Sequence, residues 1–165
     1  MLWTRLRDVA ARPHLRAPVR IFHGVTLGSW AARMFTCGGR DVVIALDECT
    51  YAIVLFPLRP RHRFRARLAG ALAALLEDLD VPASIVAQEC AAISFEPLIR
   101  LRPGVVADTL SHAQDLCELD LSDGLDWRRT QLHVNEYPHP GGPAGCAIEA
   151  LAELFAPALV RKLYS

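Results

Sequence analysis

Four short apolar runs, rich in β-branched and aromatic residues, follow one another along the first third of the chain. The runs are Val19–His23, Trp30–Cys37, Asp41–Asp47 and Tyr51–Phe56, and they are separated by Gly24, Gly28, Gly38–Gly39 and residues 47–50. Short runs divided by turn residues are typical of an antiparallel β-meander. In the third and fourth runs, Val42–Leu46 and Tyr51–Phe56 are apolar at every position. We therefore expect both strands to be covered on both faces and central in the sheet.

Helical periodicity replaces this pattern after Pro57 and Pro60. Apolar residues recur at steps of three and four from Phe64 to Leu79, which predicts an amphipathic helix over residues 61–79. One more strand is predicted over Phe95–Leu101. Further helices are predicted from Pro82 to about Ile93, over Val105–Leu119, from a cap at Ser122 or Asp123 to His133, and over Ala147–Leu163. The pattern predicts an α+β fold, an antiparallel sheet of four or five strands with the long helix and the C-terminal helices packed on it.

Length and composition fit one domain. The chain has 165 residues, of which 52% are hydrophobic and 22% are charged, enough for one packed core. Residues 1–18 are Arg-rich and contain Pro13 and Pro18, so we predict an N-terminal arm, either a short helix or a loose segment, ahead of a single α+β domain over residues 19–165. No apolar run approaches the roughly 20 residues that span a bilayer, and the first residues lack a signal-peptide pattern. We therefore expect a cytoplasmic protein with no membrane partner.

Cysteine and arginine usage narrows the class of protein further. The five cysteines are an odd number, widely spaced and without a Cys-x-x-Cys pair, so a zinc site or a secreted disulfide scaffold is not indicated. We predict reduced thiols that are mostly buried, and we expect no metal and no cofactor. Seventeen Arg stand against one Lys, which is typical of a GC-rich bacterial genome.

The formal net charge of zero conceals two oppositely charged halves. Residues 1–67 hold twelve Arg and four acidic residues, a net charge of +8, whereas residues 68–165 carry a net charge of −8. Either this asymmetry indicates an anionic partner or a polar assembly, or the two halves neutralise one another in the folded protein.

Five arginines alternate with other residues where the long helix begins. They are Arg59, Arg61, Arg63, Arg65 and Arg67, here called the arginine collar because they spread around the helix instead of lining one side. Cations at a helix N-terminus oppose the helix dipole at a cost of about 0.3–1 kcal/mol each. Phosphates of a nucleic acid or a lipid headgroup would offset that cost, and so would the acidic half of the same chain. Interleaved exposed aromatic residues or a helix-turn-helix, which nucleic-acid binding usually adds, are not evident.

No nucleotide-binding loop or nucleophile elbow is present, so any chemistry depends on polar residues of the C-terminal half. Asp108, His112 and Asp115 are spaced to share one face of a helix, an arrangement that suits either a metal or a solvent-exposed polar face. A small hydrolase or nucleotide-processing enzyme would use Asp108, His112, His133 or Asn135 around one concave pocket.

Several segments occur in an order that resembles a known family. They are Leu27–Ala32, Gly39–Thr50, Tyr51–Leu58, the Leu-rich helix ending at Leu79–Pro82, and Leu132–Pro138 with the Ala/Glu/Leu-rich helix after it. Over residues 19–157 the chain resembles a family of small bacterial and phage proteins that is known only as a domain of unknown function. The resemblance implies a shared fold and no particular activity. Ala32–Arg33 and Ala107–Ser111 replace Asn-containing segments of the family, so a ligand held there would be lost or altered in this chain.

The leading hypothesis is a non-enzymatic binding or regulatory module, of mobile-element or defence origin. Its partner is a protein or a nucleic acid, and we favour a protein partner or a second copy of the chain. Exposure of the arginine collar would support this hypothesis, whereas convergence of the polar residues on one pocket would support an enzyme.

Overall fold

The computed structural model describes residues 19–22, 26–95, 104–124, 126–139, 142 and 145–164. The predicted Arg-rich arm, residues 1–18, lies outside this part of the chain, and so do positions 96–101 of the strand predicted over Phe95–Leu101. The described part consists of an antiparallel sheet and five helices, which confirms the predicted α+β class.

The body of the sheet consists of three antiparallel strands, β2 (Ser29–Cys37), β3 (Arg40–Asp47) and β4 (Ile53–Pro57). Two shorter strands, β1 (Val19–Phe22) and β5 (Ser94–Phe95), extend it on the β2 side, which gives the order β4-β3-β2-β1-β5. Ala32 lies opposite Ala45 between β2 and β3, and Ile44 lies opposite Leu55 between β3 and β4. These positions make β3 central and place β4 at one edge.

Strand β4 begins at Ile53, two residues later than the predicted start at Tyr51, because the turn after β3 includes Tyr51. The buried carboxylate of Asp47 accepts hydrogen bonds from the Thr50 amide (2.8 Å) and the Thr50 hydroxyl (2.7 Å). Tyr51 has a φ of 61°, in the left-handed region, so it belongs to the turn and not to the strand. The extended conformation therefore begins at Ile53.

The helices are α1 (Phe64–Asp78), α2 (Ala83–Ala91), α3 (Val105–Ser122), α4 (Trp127–Glu136) and α5 (Ala147–Tyr164). A short 3-10 turn over Arg61–Arg63 leads into α1. The predicted short helix that reaches His133 is present as α4, but its predicted cap at Ser122 or Asp123 is wrong, because α3 continues through Ser122. The Asp126 side chain accepts a hydrogen bond from the Arg129 amide and caps α4 instead.

Helices cover both faces of the sheet. On one face, buried residues of α1, α2 and α5 pack against the strands; they include Leu72, Leu75, Val86 and Leu151, with Val43 and Ala45 of β3. On the other face, buried residues of α3 and α4 do the same; they include Leu110, Cys117 and Val134, with Val42 and Ile44 of β3. The predicted coverage of β3 and β4 on both faces is confirmed, since successive side chains of a strand point to opposite faces.

The prediction that β4 is central is wrong, because α4 occupies the place where a further strand would lie. Ile53 donates its amide hydrogen to Asn135 Oδ1 (2.7 Å), and Asn135 Nδ2 donates to the Ile53 carbonyl (2.7 Å). Leu55 donates its amide hydrogen to Gln131 Oε1 (2.9 Å). Two side-chain amides of one helix therefore pair the backbone of an edge strand, which is otherwise open to pairing with other chains.

The five cysteines are free thiols. Cys117 is buried between the sheet and α3, and burial raises the pKa of its thiol. Cys49 is exposed, and Cys37, Cys90 and Cys146 are half-buried. The prediction that most of the thiols are buried is wrong, because Cys117 alone is fully enclosed.

Candidate functional site

The arginine collar is held at the surface by the residue in its middle. Phe64, the first residue of α1, is 2% exposed, and its ring packs edge-on against Phe56 of β4 with 5.3 Å between ring centroids. The residue that precedes it, Arg63, occupies the N-cap position without a side-chain cap, and the first turn of α1 contains no acidic residue. Cations therefore lie beside amide hydrogens that the helix itself leaves unpaired.

The individual arginines of the collar differ in their surroundings. Arg59 is exposed and pairs with Asp41 (3.2 Å). Arg63 and Arg65 are exposed as well, and neither forms an ion pair among the residues that the structure describes. Arg65 instead donates to the Ala91 carbonyl (3.3 Å), and Arg67 is half-buried. The side chain of the fifth member, Arg61, lies outside the described part.

Two ion pairs of exposed arginines join partners from the same half of the chain. Arg59 and Asp41 both belong to residues 1–67, whereas Arg128 and its partner Asp78 both belong to residues 68–165. These pairs do not account for mutual neutralisation of the basic and acidic halves. Arg63 and Arg65 have no ion-pair partner in the part of the chain that the structure describes.

The polar residues predicted on α3 lie on its outward side. Asp108 and Asp115 are exposed, and His112 is half-buried. Within the described segments, no group of three or more His, Cys, Asp or Glu residues is placed to hold a metal ion. Asp108 and Asp115 therefore belong to a solvent-exposed face of the helix.

His112 instead contacts a second histidine, which was not among the four residues predicted around one pocket. His139 follows α4 and is buried; its Nε2 lies 2.9 Å from the Val134 carbonyl oxygen, so Nε2 carries the hydrogen and donates it. The Nδ1 atom of neutral His139 is then an acceptor, and it faces His112 Nδ1 at 3.4 Å. Burial lowers the pKa of His139. The Val134 hydrogen bond opposes this with a smaller effect, and the charge of protonated His112, the smallest of the three effects, lowers the pKa further.

His133 makes a separate contact with a carboxylate. Its Nδ1 lies 2.7 Å from Asp120 Oδ2, and its side chain is 47% exposed whereas that of Asp120 is 11% exposed. The Tyr137 ring lies 6.0 Å from the His133 ring and 6.2 Å from the His112 ring, measured between centroids. Tyr137 thus connects His133 with the histidine pair, His112 and His139. A half-exposed imidazole oriented by a carboxylate has the geometry of a general base.

Asn135 does not join these histidines. It is fully buried, and its amide pairs with Ile53 and with the Gln131 carbonyl. The structure therefore brings His112 and His133 near a common tyrosine, leaves Asp108 on the outward side of α3, and assigns Asn135 to the fold. Gln131, four residues before Asn135, was missed; an i, i+4 pair of amides on one helix was the available signal.

None of the helices in the described segments has both the length and the apolar character needed to cross a membrane. No protein-family model and no curated protein matches the chain.

Proposed function

We propose that this protein is a non-enzymatic binding module whose arginine collar contacts an acidic surface of a partner protein. The observation that carries the proposal is the exposure of Arg63 and Arg65 at the start of α1, where neither has an ion-pair partner within the described residues. Carboxylates of a partner would offset the unfavourable interaction of these cations with the helix dipole. Guanidinium groups also suit bidentate pairing with carboxylates.

The composition of the collar favours a protein over a nucleic acid. Sites for single-stranded nucleic acids interleave basic residues with exposed aromatic rings on which bases stack. Phe64 is the one Phe, Tyr or Trp between residues 59 and 67, and its ring is buried against Phe56. Apart from the exposed imidazole of His62, the collar thus provides charge and hydrogen-bond donors, and a carboxylate-rich surface can pair with both.

Two binding measurements at about 50 mM salt test the proposal. The first uses poly-L-glutamate as a model of an acidic protein surface, and the second uses double-stranded DNA. We expect the parent protein to bind poly-L-glutamate, with an affinity that falls as salt is added. The variant Arg63→Gln/Arg65→Gln should bind about tenfold more weakly, the loss of two charged contacts. Its thermal stability should be unchanged or improved, because the substitutions remove charges that oppose the dipole.

The matched control is Arg128→Gln/Arg129→Gln, which removes the same charge from α4, where both arginines are exposed and ion-paired. This control should bind poly-L-glutamate as the parent does. Equal loss in both double variants would show that net charge, not the collar, determines binding. A parent protein that binds DNA and ignores poly-L-glutamate would favour the nucleic-acid hypothesis instead.

The same proposal includes a cytoplasmic location and membership of the family that the sequence resembles. Five free thiols, one of them exposed at Cys49, suit a reducing compartment. The family segments that support membership include Leu27–Ala32 and Leu132–Pro138. In the second of these, Asn135 has a role in the fold and Tyr137 contacts the histidines.

A second candidate function, a small hydrolase, is favoured by the contact between His133 and Asp120. The Asp120 carboxylate orients the His133 ring through Nδ1. The other ring nitrogen, Nε2, can then accept a proton from water or from a hydroxyl group. Hydrolysis of a panel of esters and phosphoesters tests this candidate. An activity that Asp120→Asn lowers and Asp108→Asn leaves unchanged would support it, whereas no turnover by the parent would exclude these substrate classes.

A further inference from the structure

The outward side of α3 combines exposed apolar and acidic side chains. Val105, His112 and Leu119 recur at steps of seven residues and so lie in one row along the helix, and Asp108 and Asp115 form the adjacent row. Val105 is 48% exposed and Leu119 is 63% exposed, and both aspartates are exposed. These five residues are called the α3 face below.

Exposed apolar area in the described residues is concentrated around this face. Four large hydrophobic side chains are exposed among the described residues: Val105, Leu119, Tyr137 and Leu154. Three of the four lie on the α3–α4 side of the sheet, and the Tyr137 ring is 6.2 Å from the ring of His112. Apolar residues grouped with acidic side chains are typical of a protein-binding surface. One cation lies beside them, since Arg33 donates to Ser111 Oγ (3.2 Å), and Ser111 lies on α3 between the two aspartates.

The charges of the α3 face are complementary to those of the arginine collar. Asp108 and Asp115 form no ion pair within the described part of the chain, and the same holds for Arg63 and Arg65. Within the described residues, one copy of the protein thus presents two aspartates on one surface and two arginines on another, none of them with an ion-pair partner. Arginine also stacks on aromatic rings, so the exposed Tyr137, whose ring lies 6.2 Å from that of His112, suits a guanidinium partner.

We propose that the α3 face binds the arginine collar of a second copy of the chain. This inference rests on the function proposed for the collar, and it identifies the acidic partner surface as the α3 face of another copy. The collar leads into α1 on one face of the sheet, whereas α3 packs on the opposite face. The two surfaces are therefore distinct, and the contact between copies is head-to-tail. Each copy has both surfaces, so association continues beyond a dimer or closes into a ring.

Two neutralised variants test the inference because each removes one of the two surfaces. Arg63→Gln/Arg65→Gln removes the collar, and Asp108→Asn/Asp115→Asn removes the acidic row of the α3 face. Sedimentation velocity follows association from about 1 to 200 µM, at about 50 mM salt and again at about 500 mM. We expect the parent protein to form oligomers that grow with concentration and dissociate in high salt. Each variant alone should remain monomeric.

An equimolar mixture of the two variants should form a 1:1 dimer and nothing larger, because the mixture contains one intact collar and one intact α3 face per pair. The control Arg128→Gln/Arg129→Gln should associate as the parent does. A parent protein that is monomeric at every concentration would overturn the inference, and so would a mixture that does not dimerise. Retained binding of poly-L-glutamate by a monomeric parent would then show that the collar binds acidic surfaces while the second copy is not its partner.

Discussion

Asn135 and Ile53 are joined by two hydrogen bonds that run in opposite directions, from the Ile53 amide to Asn135 Oδ1 and from Asn135 Nδ2 to the Ile53 carbonyl, each 2.7 Å long. The same exchange of donor and acceptor occurs between paired residues of neighbouring antiparallel strands. Here one partner is a side chain of α4. The edge of the sheet is thereby closed by a helix without an additional strand.

Replacing Asn135 with alanine should lower the free energy of unfolding by about 2–4 kcal/mol. The substitution leaves the buried amide and carbonyl of Ile53 without partners, and each unsatisfied group costs about 1–3 kcal/mol. Urea titration measures the loss, and hydrogen exchange at the Ile53 amide should accelerate. Glu136→Ala is the control, since Glu136 is the exposed next residue of the same helix. A loss below about 0.5 kcal/mol for Asn135→Ala would mean that α4 does not hold the edge.

Leu72→Ala and Leu75→Ala should each destabilise the protein by about 2–5 kcal/mol, as large-to-small substitutions in a core do. Both side chains are at most 1% exposed, in the middle of α1. The matched control is Leu119→Ala on the outward side of α3, where the leucine is mostly exposed and the expected loss is below about 0.5 kcal/mol. Similar midpoints in urea for all three variants would contradict the burial of α1.

The lowered pKa of His139 predicts a loss of stability in weak acid. The unfolded chain binds a proton at this residue near pH 6.5, whereas the folded protein does so at lower pH. The contribution of neutral His139 to stability is thus complete above pH 6.5. It decreases as the pH falls from 6.5 to the folded pKa, with a slope of at most about 1.4 kcal/mol per pH unit.

Comparison of the parent protein with His139→Gln separates the loss of stability caused by protonation of His139 from the loss caused by protonation of carboxylates. Stability of the variant should fall less steeply over that pH range, as measured by urea titration at successive pH values. His62→Gln, which removes an exposed imidazole, is the control. Parallel pH profiles for the parent and His139→Gln would show that the histidine pair does not respond to protonation.

Elements defined by local periodicity were predicted well from the sequence. The stripe from Phe64 to Leu79 has the spacing of a helix, and α1 covers Phe64–Asp78 of the predicted residues 61–79, with a 3-10 turn over the first three. Val42–Leu46 is apolar at every position because helices cover both faces of β3. Such patterns depend only on residues that are close together in the chain, so the spacing of apolar residues in the sequence is enough to predict these elements.

The features that were missed depend on residues far apart in the chain. The edge position of β4 follows from Gln131 and Asn135, which contact it across 76 and 82 residues. The burial of His139 follows from the packing of α3 against α4. The start of α4 was missed for a local reason, since Ser122, Asp123 and Asp126 are all good capping residues and the chain uses the last.

β4 leaves the ribosome well before the residues that close its edge. At about 5–20 residues per second, translation from Ile53 to Asn135 takes roughly 4–16 s. Throughout that time an entirely apolar strand has a backbone edge with no helix beside it. Unpaired edges of this kind allow nascent chains to pair with one another. Protection by chaperones is therefore needed most between the synthesis of residue 57 and that of residue 131.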